Sequence, residues 1–221
     1  MVLTMIVEQL DKTKDDLIRE RLLLTAMEEF MQFGFSRISM DDLAIRMGMS
    51  KKTLYKYYAS KEELVKAVLE LRKQRAGELM AFIETKVPKH AFGEKIVQVS
   101  QKVAESLSDV QPHVMYDLKK TFPLIFEDFD AFKKASIVKG FTSALNEGRA
   151  SGVFRDDIPI ELAVHMHLTL ISSMMNPEYL SSQKYTPLQV FNMILRCTME
   201  GLCTNKGRSI VEASLFTKSV I

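Results

Sequence analysis

The sequence predicts an all-α protein, in which three N-terminal helices form a helix-turn-helix unit and a long helix joins this unit to a larger helical body. Apolar residues recur at the three- and four-residue spacing of amphipathic helices. The 221 residues include only six prolines and nine glycines, few for a fold with many strand turns, and the hydrophobic content of 47% supports a substantial core. We therefore divide the chain into an N-terminal arm and helix-turn-helix at 1–60, a connecting helix at 61–87 and a helical body at 88–221.

The first helix is predicted to begin at Asp15, after a loose arm over residues 1–12. Asp15 and Asp16 suit the positive N-terminal end of a helix dipole, and Gly34 suits the C-terminal end of the helix. Between them the apolar residues repeat every four positions, at Ile18, Leu22, Ala26 and Phe30. This helix is therefore expected to bury one face against the elements that follow it.

Residues 41–61 carry the signals of two short helices around a tight turn. Ser39 and Asp42 form a variant of the capping box at the start of the first of these helices. Gly48 can adopt the positive φ that a tight turn often needs, and Ser50 can cap the second helix. This succession is that of a helix-turn-helix, whose second helix enters the major groove of DNA.

The second helix of this motif has an apolar face and a basic face. At about 100° per residue, Leu54 and Tyr58 share the side that packs inward. The remaining surface carries Lys52, Thr53 and Lys56 opposite this pair, Tyr55 and Tyr57 on the two flanks, and Lys51 at the helix start. Residues 46–61 contain five basic residues and no acid, although the net charge of the chain is only +2. A solvated face is the ordinary interpretation of a basic run, but the turn, the cap and the inward pair together favour contact with DNA.

The connecting helix is predicted to start at a Ser60 cap, with Glu63 completing a capping box, and to end before Pro88. Its buried stripe comprises Leu64, Val68 and Leu71. About 27 residues at 1.5 Å each would span about 40 Å. Such a helix can couple the basic surface mechanically to the body.

The run FGFSRISMDDLAIRMGMSKKTLYKYYASKEELVKAVL closely resembles the N-terminal domain of TetR-family transcriptional repressors. The order of features carries the resemblance, which covers about residues 15–80: Gly-Phe after a helix, a capped helix, a Gly turn, S-K-x-T-L-Y and S-K-E-E-L. It implies an all-α homodimer that binds double-stranded operator DNA and releases it when a small molecule enters the C-terminal domain.

The resemblance also implies roles for single residues. Ser39 would contact a phosphate, and Lys61 would anchor the DNA backbone. Asp41 departs from the family pattern, because several members place a base-reading arginine there. The candidate DNA-binding residues are Ser39, Ser50, Lys51, Lys52, Thr53, Tyr55, Lys56, Tyr57 and Lys61.

Beyond Pro88 the pattern predicts helices at about 92–108, 112–120, 123–149, 159–175 and 187–204, a loop at 176–187 and an unassigned tail after Asn205. The last two helices carry apolar residues on two strips, and such a helix needs two partners. One strip would face its own domain and the other a second subunit in a four-helix dimer interface. The candidate interface residues are Thr169, Ser173, Phe191, Leu195, Thr198 and Leu202. The alternative is that both helices lie at the centre of a monomeric core.

The body is rich in aromatic and methionine side chains, which form an adaptable apolar interior. Core packing is their ordinary role, but a cavity for a small apolar or amphipathic ligand is the functional alternative. The candidate lining residues are Met115, Phe122, Phe126, Phe141 and His165. On a helix His165 and His167 diverge by about 200°, so they do not favour a shared metal ion. We expect neither a metal nor a cofactor.

The sequence contains no G-x-S-x-G, H-E-x-x-H, P-loop or dinucleotide fingerprint that would demand catalysis. No window reaches the roughly 18 apolar residues of a membrane span, and we expect a cytoplasmic protein. The sequence therefore favours a dimeric repressor that a small molecule releases from a palindromic operator. The alternatives are a constitutive, nucleoid-associated DNA-binding protein without an inducer and a small helical enzyme.

Overall fold

The computed structural model of the chain describes residues 13–86 and 112–212, together with residues 95, 98, 99 and 101–103. Over these residues the fold is all-α, as the sequence predicts, and one isolated β-bridge pairs Phe154 with Cys203. The helices are α1 (Lys14–Phe33), α2 (Met40–Arg46), α3 (Lys51–Tyr57), α4 (Lys61–Lys86), α5 (Pro112–Thr121), α6 (Pro123–Ala150), α7 (Ile160–Met174), α8 (Pro177–Ser182), α9 (Pro187–Leu202) and α10 (Asn205–Val211). Within this described part, no helix has both the length and the apolar character needed to cross a membrane.

Most of the predicted elements are confirmed, and two helices are new. The predicted arm at 1–12 lies outside the described residues, as does most of the predicted helix at 92–108. Helix α8 occupies part of the predicted loop, and α10 occupies part of the unassigned tail. Asn176 accepts a hydrogen bond from the Tyr179 N–H to cap α8, and Thr204 accepts one from the Gly207 N–H to cap α10. Both caps are local signals that the periodicity of the apolar residues does not show.

Two caps fix where helices of the N-terminal unit begin. The Ser39 hydroxyl accepts from the Asp42 N–H at 3.1 Å, and the Asp42 carboxylate accepts from the Ser39 N–H at 2.9 Å, as in the predicted capping box. Ser60 caps α4 by accepting from the Glu63 N–H at 3.1 Å. The Glu63 carboxylate accepts from the N–H of Ala59 at 2.8 Å, one residue before the predicted partner.

A first core, which we call the N-terminal core, joins α1–α4 to α5 and the start of α6. Its buried members are Leu22, Ala26, Phe30, Met31, Phe35, Ile38, Met40, Leu43, Ala44, Met47, Leu54, Tyr57, Tyr58, Leu64, Val65, Val68, Leu69, Val114, Leu118, Phe126 and Phe129. Val114 and Leu118, both from α5, are completely buried in it. The helix-turn-helix therefore shares its core with the first helices after the connecting helix.

A second core, the C-terminal core, comprises Phe141, Leu145, Val153, Phe154, Ala163, Val164, Met199, Leu202, Cys203 and Val211. Two backbone hydrogen bonds join the turn after α6 to the turn before α10. The Thr204 N–H donates to the Val153 carbonyl and the Arg155 N–H donates to the Leu202 carbonyl, each at 2.9 Å. A Cβ at Gly207 would lie 1.9 Å from the Val153 carbonyl oxygen. Only glycine therefore fits at this position of α10. A smaller cluster of Leu180, Val190 and Ile194 lies between α8 and α9.

Candidate nucleic-acid interface

Helix α3 presents its basic face to solvent. Gly48 has a φ of +63°, which lets the chain turn sharply from α2 into α3. Ser50 then caps α3 by accepting from the Thr53 N–H at 3.1 Å. The side chains of Lys51 and Lys56 are 65% and 67% exposed, so both ammonium groups can reach a DNA backbone placed against this face.

The inward side of α3 is the one the sequence predicts. Leu54 is fully buried and Tyr58 is 4% exposed. Lys52 is exposed on the opposite side, and Tyr55 on the flank is 46% exposed. Ser39 is also exposed, at the start of α2, although its hydroxyl donates to Asp42 at 2.6 Å.

Tyr57 does not lie on an exposed flank, where the sequence placed it. Its side chain is buried in the N-terminal core, and its hydroxyl donates to Asp15 at 2.8 Å. This hydrogen bond raises the pKa of Tyr57. It also lowers the pKa of Asp15, and the Lys56 ammonium contributes to that lowering. The reason is tertiary: the first turn of α1 covers the end of α3, and no local pattern reports that contact. Tyr55 is the tyrosine that stays exposed on α3.

Two carboxylates pair with the basic face of α3. The Lys51 ammonium donates to Asp41, in the first turn of α2. The Lys56 ammonium lies 3.4 Å from Asp15, in the first turn of α1. Lys52 forms no ion pair within the described part of the chain. The positive face of α3 is thus partly neutralised at its two ends.

Lys61 points toward the turn between α1 and α2 and not freely into solvent. Its half-buried ammonium donates to the Ser36 carbonyl at 3.3 Å. Burial lowers the pKa of Lys61, while the carboxylates of Asp117 and Asp42 oppose that shift. The residue predicted to anchor the DNA backbone therefore holds the turn between α1 and α2.

The same turn is held from the other side by Asp117 of α5. Its carboxylate accepts from the Ser36 N–H at 2.7 Å and from the Thr121 hydroxyl at 3.3 Å. Burial alone would raise the pKa of Asp117. The hydrogen bonds to its carboxylate, of which that from Ser36 has the largest effect, lower the pKa below its usual value. Gly34 has a φ of +95°, and a Cβ there would lie 3.0 Å from the carboxylate. We call Gly34, Ser36, Lys61 and Asp117 the joint; the sequence offered no signal for Asp117.

The N-terminal residues also match a known family. Residues 22–68, from α1 into α4, match the family model described as "Bacterial regulatory proteins, tetR family". A relative from Bacillus subtilis (strain 168), named "Uncharacterized HTH-type transcriptional regulator YvaF", is 29% identical over 191 residues, which are 85% of this chain and 96% of the relative. The helix-turn-helix of this chain therefore belongs to the TetR family, and over most of its length the chain is similar to an HTH-type transcriptional regulator. The exposed basic helix α3 is accordingly the second helix of a TetR-type helix-turn-helix.

Solved structures of transcriptional regulators, one of them described as TetR family, share the fold over most of this chain. One from Agrobacterium tumefaciens has a TM-score of 0.63 and 17% identity and covers 84% of this chain and 97% of that one. The regulator FadR from Bacillus subtilis, solved in complex with stearoyl-CoA, has a TM-score of 0.57 and 18% identity over 83% of this chain and 98% of that one. At these identities the likeness concerns the fold.

The residues predicted to line a ligand cavity do not converge in this TetR-type body. Phe126 is buried in the N-terminal core, and Met115 and Phe122 pack against it. Phe141 belongs to the C-terminal core, and His165 is exposed. The prediction of His165 as an interior residue is therefore wrong, because α7 turns that side chain outward.

His167 is the histidine of α7 that faces the interior. It is 6% exposed, and its ring stacks on Phe141 with a centroid separation of 4.1 Å. Its Nδ1 lies 3.4 Å from the Thr198 hydroxyl oxygen. Burial lowers the pKa of His167 to about 4, so the ring is neutral at pH 7. Among the residues described, no group of three or more His, Cys, Asp or Glu is placed to hold a metal ion.

The apolar surface on α7 and α9 differs in part from the predicted dimer interface. Thr169 and Ser173 are exposed, next to a strip of exposed apolar residues on α7: Leu162 (52%), Met166 (56%) and Leu170 (37%). On α9 the exposed residues are Met193, at 58%, and Cys197. The other predicted interface residues of α9 are less exposed. Phe191 is half-buried, and Leu202 is buried. Leu195 packs against the C-terminal core, and the Thr198 hydroxyl donates to the Ile194 carbonyl at 2.7 Å. Leu202, Val190 and Ile194 thus lie on the inward side of α9, and Met193 and Cys197 lie on its outward side.

Proposed function

We propose that the chain is a repressor that binds a palindromic operator as a homodimer and leaves it when a small apolar or amphipathic molecule enters the helical body. The observation that carries the proposal is the exposed basic face of α3, built on a core that includes Val114 and Leu118 of α5. Because the DNA-binding helix and the body share this core, a change in the body can change the position of α3. In this proposal the chain binds DNA and a ligand and catalyses no reaction.

The DNA contacts follow from the exposure of the side chains. Lys52, Thr53 and Lys56 would read bases in the major groove of the operator, and Lys51 and Tyr55 would contact the sugar-phosphate backbone on either side. On DNA without the operator sequence, the Lys56 ammonium would contact a phosphate instead. Ser39 and Ser50, at the helix starts, would add phosphate contacts. Tyr57 and Lys61 would act indirectly, because Asp15 and Ser36 already occupy their polar groups.

A second copy of the chain would cover the outward strip on α7 and α9. Leu162, Met166 and Leu170 follow one another at four-residue spacing on α7, and Met193 is exposed on α9. Two such strips related by a two-fold axis would form a four-helix interface. The two α3 helices would then lie about 34–36 Å apart, or a multiple of this, on the same side of the DNA.

The ligand would be a molecule with a long apolar part. Support comes from the bound stearoyl-CoA of the similar FadR structure and from the apolar side chains along α5 and α6. Met115 and Phe122 are half-buried against the N-terminal core. Phe141 belongs to the C-terminal core, and its ring stacks on that of His167. In place of the exposed His165, His167 is the polar group that such a ligand would meet.

The joint would carry the signal from α5 to the turn before α2. Asp117 is 81 positions from Ser36 in sequence, yet its carboxylate accepts a hydrogen bond from the Ser36 N–H at 2.7 Å. A movement of α5 would therefore displace the turn between α1 and α2, which positions the helix-turn-helix. Asp117→Asn should weaken this attachment, because a charge-assisted hydrogen bond is stronger than a neutral one.

The test begins with selection of DNA fragments from the source genome by the purified protein, followed by footprinting of the enriched sites. We expect an inverted repeat, and fluorescence anisotropy should show that stearoyl-CoA weakens binding to it about tenfold or more. Asp117→Asn should still bind the repeat but respond at least about threefold less to stearoyl-CoA. The matched control is Glu127→Gln, which alters an exposed acid on α6.

Each part of the proposal has its own contradicting result. Enrichment of unrelated sequences without a repeat would contradict the operator. Unchanged DNA binding across long-chain acyl-CoA esters and fatty acids would contradict the ligand class. An Asp117→Asn response equal to that of Glu127→Gln would contradict the role of the joint.

A further inference from the structure

The two carboxylates that face α3 have no role in the function described above. Asp15 and Asp41 come from the first turns of two different helices, and each reaches one end of α3. Asp15 accepts from both the Lys56 ammonium and the Tyr57 hydroxyl, at 3.4 and 2.8 Å. These contacts are tertiary: they exist only because α1 and α2 pack around the DNA-binding helix.

The contacts are too exposed to contribute much to folding. The Asp15 and Asp41 side chains are 62% and 48% exposed, and their lysine partners are about two-thirds exposed. Ion pairs in such surroundings stabilise a protein by little, since water and salt screen them. A negative charge on a DNA-binding face also repels the phosphates that this face must approach. A position in the first turn of a helix favours both acids, but it does not require their ion pairs with α3, and DNA affinity alone would disfavour such pairs.

We propose that Asp15 and Asp41 compete with DNA phosphates for Lys56 and Lys51, and so suppress binding to non-specific DNA. This inference rests on the proposed contact of α3 with DNA. On non-specific DNA the phosphates are the main attraction, and each phosphate contact must first displace a carboxylate that then lies beside the backbone. On the operator, base contacts from Lys52 and Thr53, which the acids do not engage, compensate for this loss.

Asp15 has the protonation state that competition requires. The Tyr57 hydroxyl, and after it the Lys56 ammonium, lowers the pKa of Asp15 below its usual value, so the carboxylate is charged at neutral pH. Substitution by asparagine retains an acceptor for the Tyr57 hydroxyl and removes only the charge. Asp15→Asn and Asp41→Asn are therefore conservative tests of the charge.

The chain supplies matched controls at the next positions. Asp16 and Asp42 lie in the same first turns, but their carboxylates cap their own helices through Thr13 and Ser39. Asp16→Asn and Asp42→Asn change the net charge of the protein by the same amount, at nearly the same place, without releasing a lysine of α3. Circular dichroism at the titration temperature should show that all four variants are folded.

The experiment measures binding of the full chain to a fluorescein-labelled duplex of mixed sequence, about three helical turns long, by anisotropy over a series of KCl concentrations. Asp15→Asn and Asp41→Asn should each bind this duplex about three- to tenfold more tightly than wild type. The slope of log K against log [KCl] should become more negative by about 0.9 for each lysine released. The control variants should change affinity by less than about twofold. In a Lys51→Ala background Asp41→Asn should have no effect, and likewise Asp15→Asn in a Lys56→Ala background.

Three results would overturn the inference. Equal gains for the paired and control variants would show a simple effect of net charge. Weaker binding by Asp15→Asn or Asp41→Asn would show that the acids position the lysines for DNA. A gain that persists in the lysine-to-alanine backgrounds would show repulsion without competition. If wild type binds no duplex even at low salt, DNA binding by α3 fails as well; if wild type binds and the variants equal it, only the inference fails.

Discussion

The two halves of the molecule expose their apolar residues in different ways. In the N-terminal half the exposed large apolar side chains, such as Ile45 on α2 and Tyr55 on α3, are scattered singly, which is normal for a protein surface. In the body they line up: Leu162, Met166 and Leu170 form one strip on α7. The N-terminal half thus exposes no row of large apolar side chains among its described residues, whereas the body exposes one on α7, which a second copy would cover in the proposed dimer. Folding and assembly can therefore be disturbed separately.

The largest expected effect is on assembly. Met166→Glu would place a charge in the middle of the α7 strip, and a two-fold interface contains every residue twice. Since burial of such a side chain contributes about 1.5–3 kcal/mol, two lost copies should weaken dimerisation by at least about 100-fold. Sedimentation velocity over a range of protein concentrations measures this change.

The control for Met166→Glu is Leu124→Glu, at a residue of α6 that is 75% exposed and lies off the strip. It should remain as dimeric as wild type. A monomeric wild type would contradict the proposed dimer, and equal dimerisation by both variants would place the interface elsewhere.

The next effect concerns the boundary between the two halves. Leu118 follows the connecting helix in sequence but is completely buried in the N-terminal core. Leu118→Ala should therefore lower the free energy of unfolding by about 3 kcal/mol and increase amide hydrogen exchange in α1 and α2. Urea denaturation at fixed protein concentration, followed by exchange mass spectrometry, measures both changes.

Leu124→Ala provides the comparison for Leu118→Ala, because it removes the same atoms from an exposed position of the adjacent helix. Its expected effect is below about 0.5 kcal/mol. A similar, small change for both variants would show that α5 is not part of the N-terminal core in solution.

The smallest effect expected is a dependence of the free energy of unfolding on pH that arises from His167 in the body. Burial holds the pKa of His167 at about 4 in the folded protein, below the ordinary 6.5 of the unfolded chain. The unfolded state therefore binds more protons between these values, and stability is full above pH 6.5 and falls as the pH falls. The loss from this residue should reach about 2 kcal/mol at pH 5. Urea titrations at several pH values measure the free energy of unfolding. His167→Gln should reduce its decrease at low pH, whereas His165→Gln, at an exposed position, should leave this decrease as in wild type.

The N-terminal elements were predictable because their signals are local. Ser39, Asp42, Gly48 and Ser50 specify caps and a turn within a few residues, and the inward pair of Leu54 and Tyr58 follows from helix geometry. The family match from residue 22 to residue 68 covers the same stretch. Here local propensity and tertiary packing agree, so the sequence suffices.

The errors arose where the answer depends on a distant element. Tyr57 is buried because α1 covers the end of α3, and His167 rather than His165 faces inward because α9 packs on one side of α7. The chain covers apolar residues from both predicted strips of α9, Leu202 in one and Val190 and Ile194 in the other, and the sequence could not show this. Asp117 had no signal, since its partner turn lies 81 residues away. Each of these depends on which face of a helix meets its neighbour, a property that periodicity leaves open.

The shared core of α1–α5 bears on how such regulators can be re-engineered. A chimera joined at residue 87 would separate Leu22 and Leu64 from Val114 and Leu118, which are buried in the same core. It would also separate the turn at Ser36 from Asp117. An exchange of the whole DNA-binding unit would therefore need a matched α5 from the donor. Redesign of the exposed residues of α3 alone requires no such match, because the side chains that would contact DNA point away from the core.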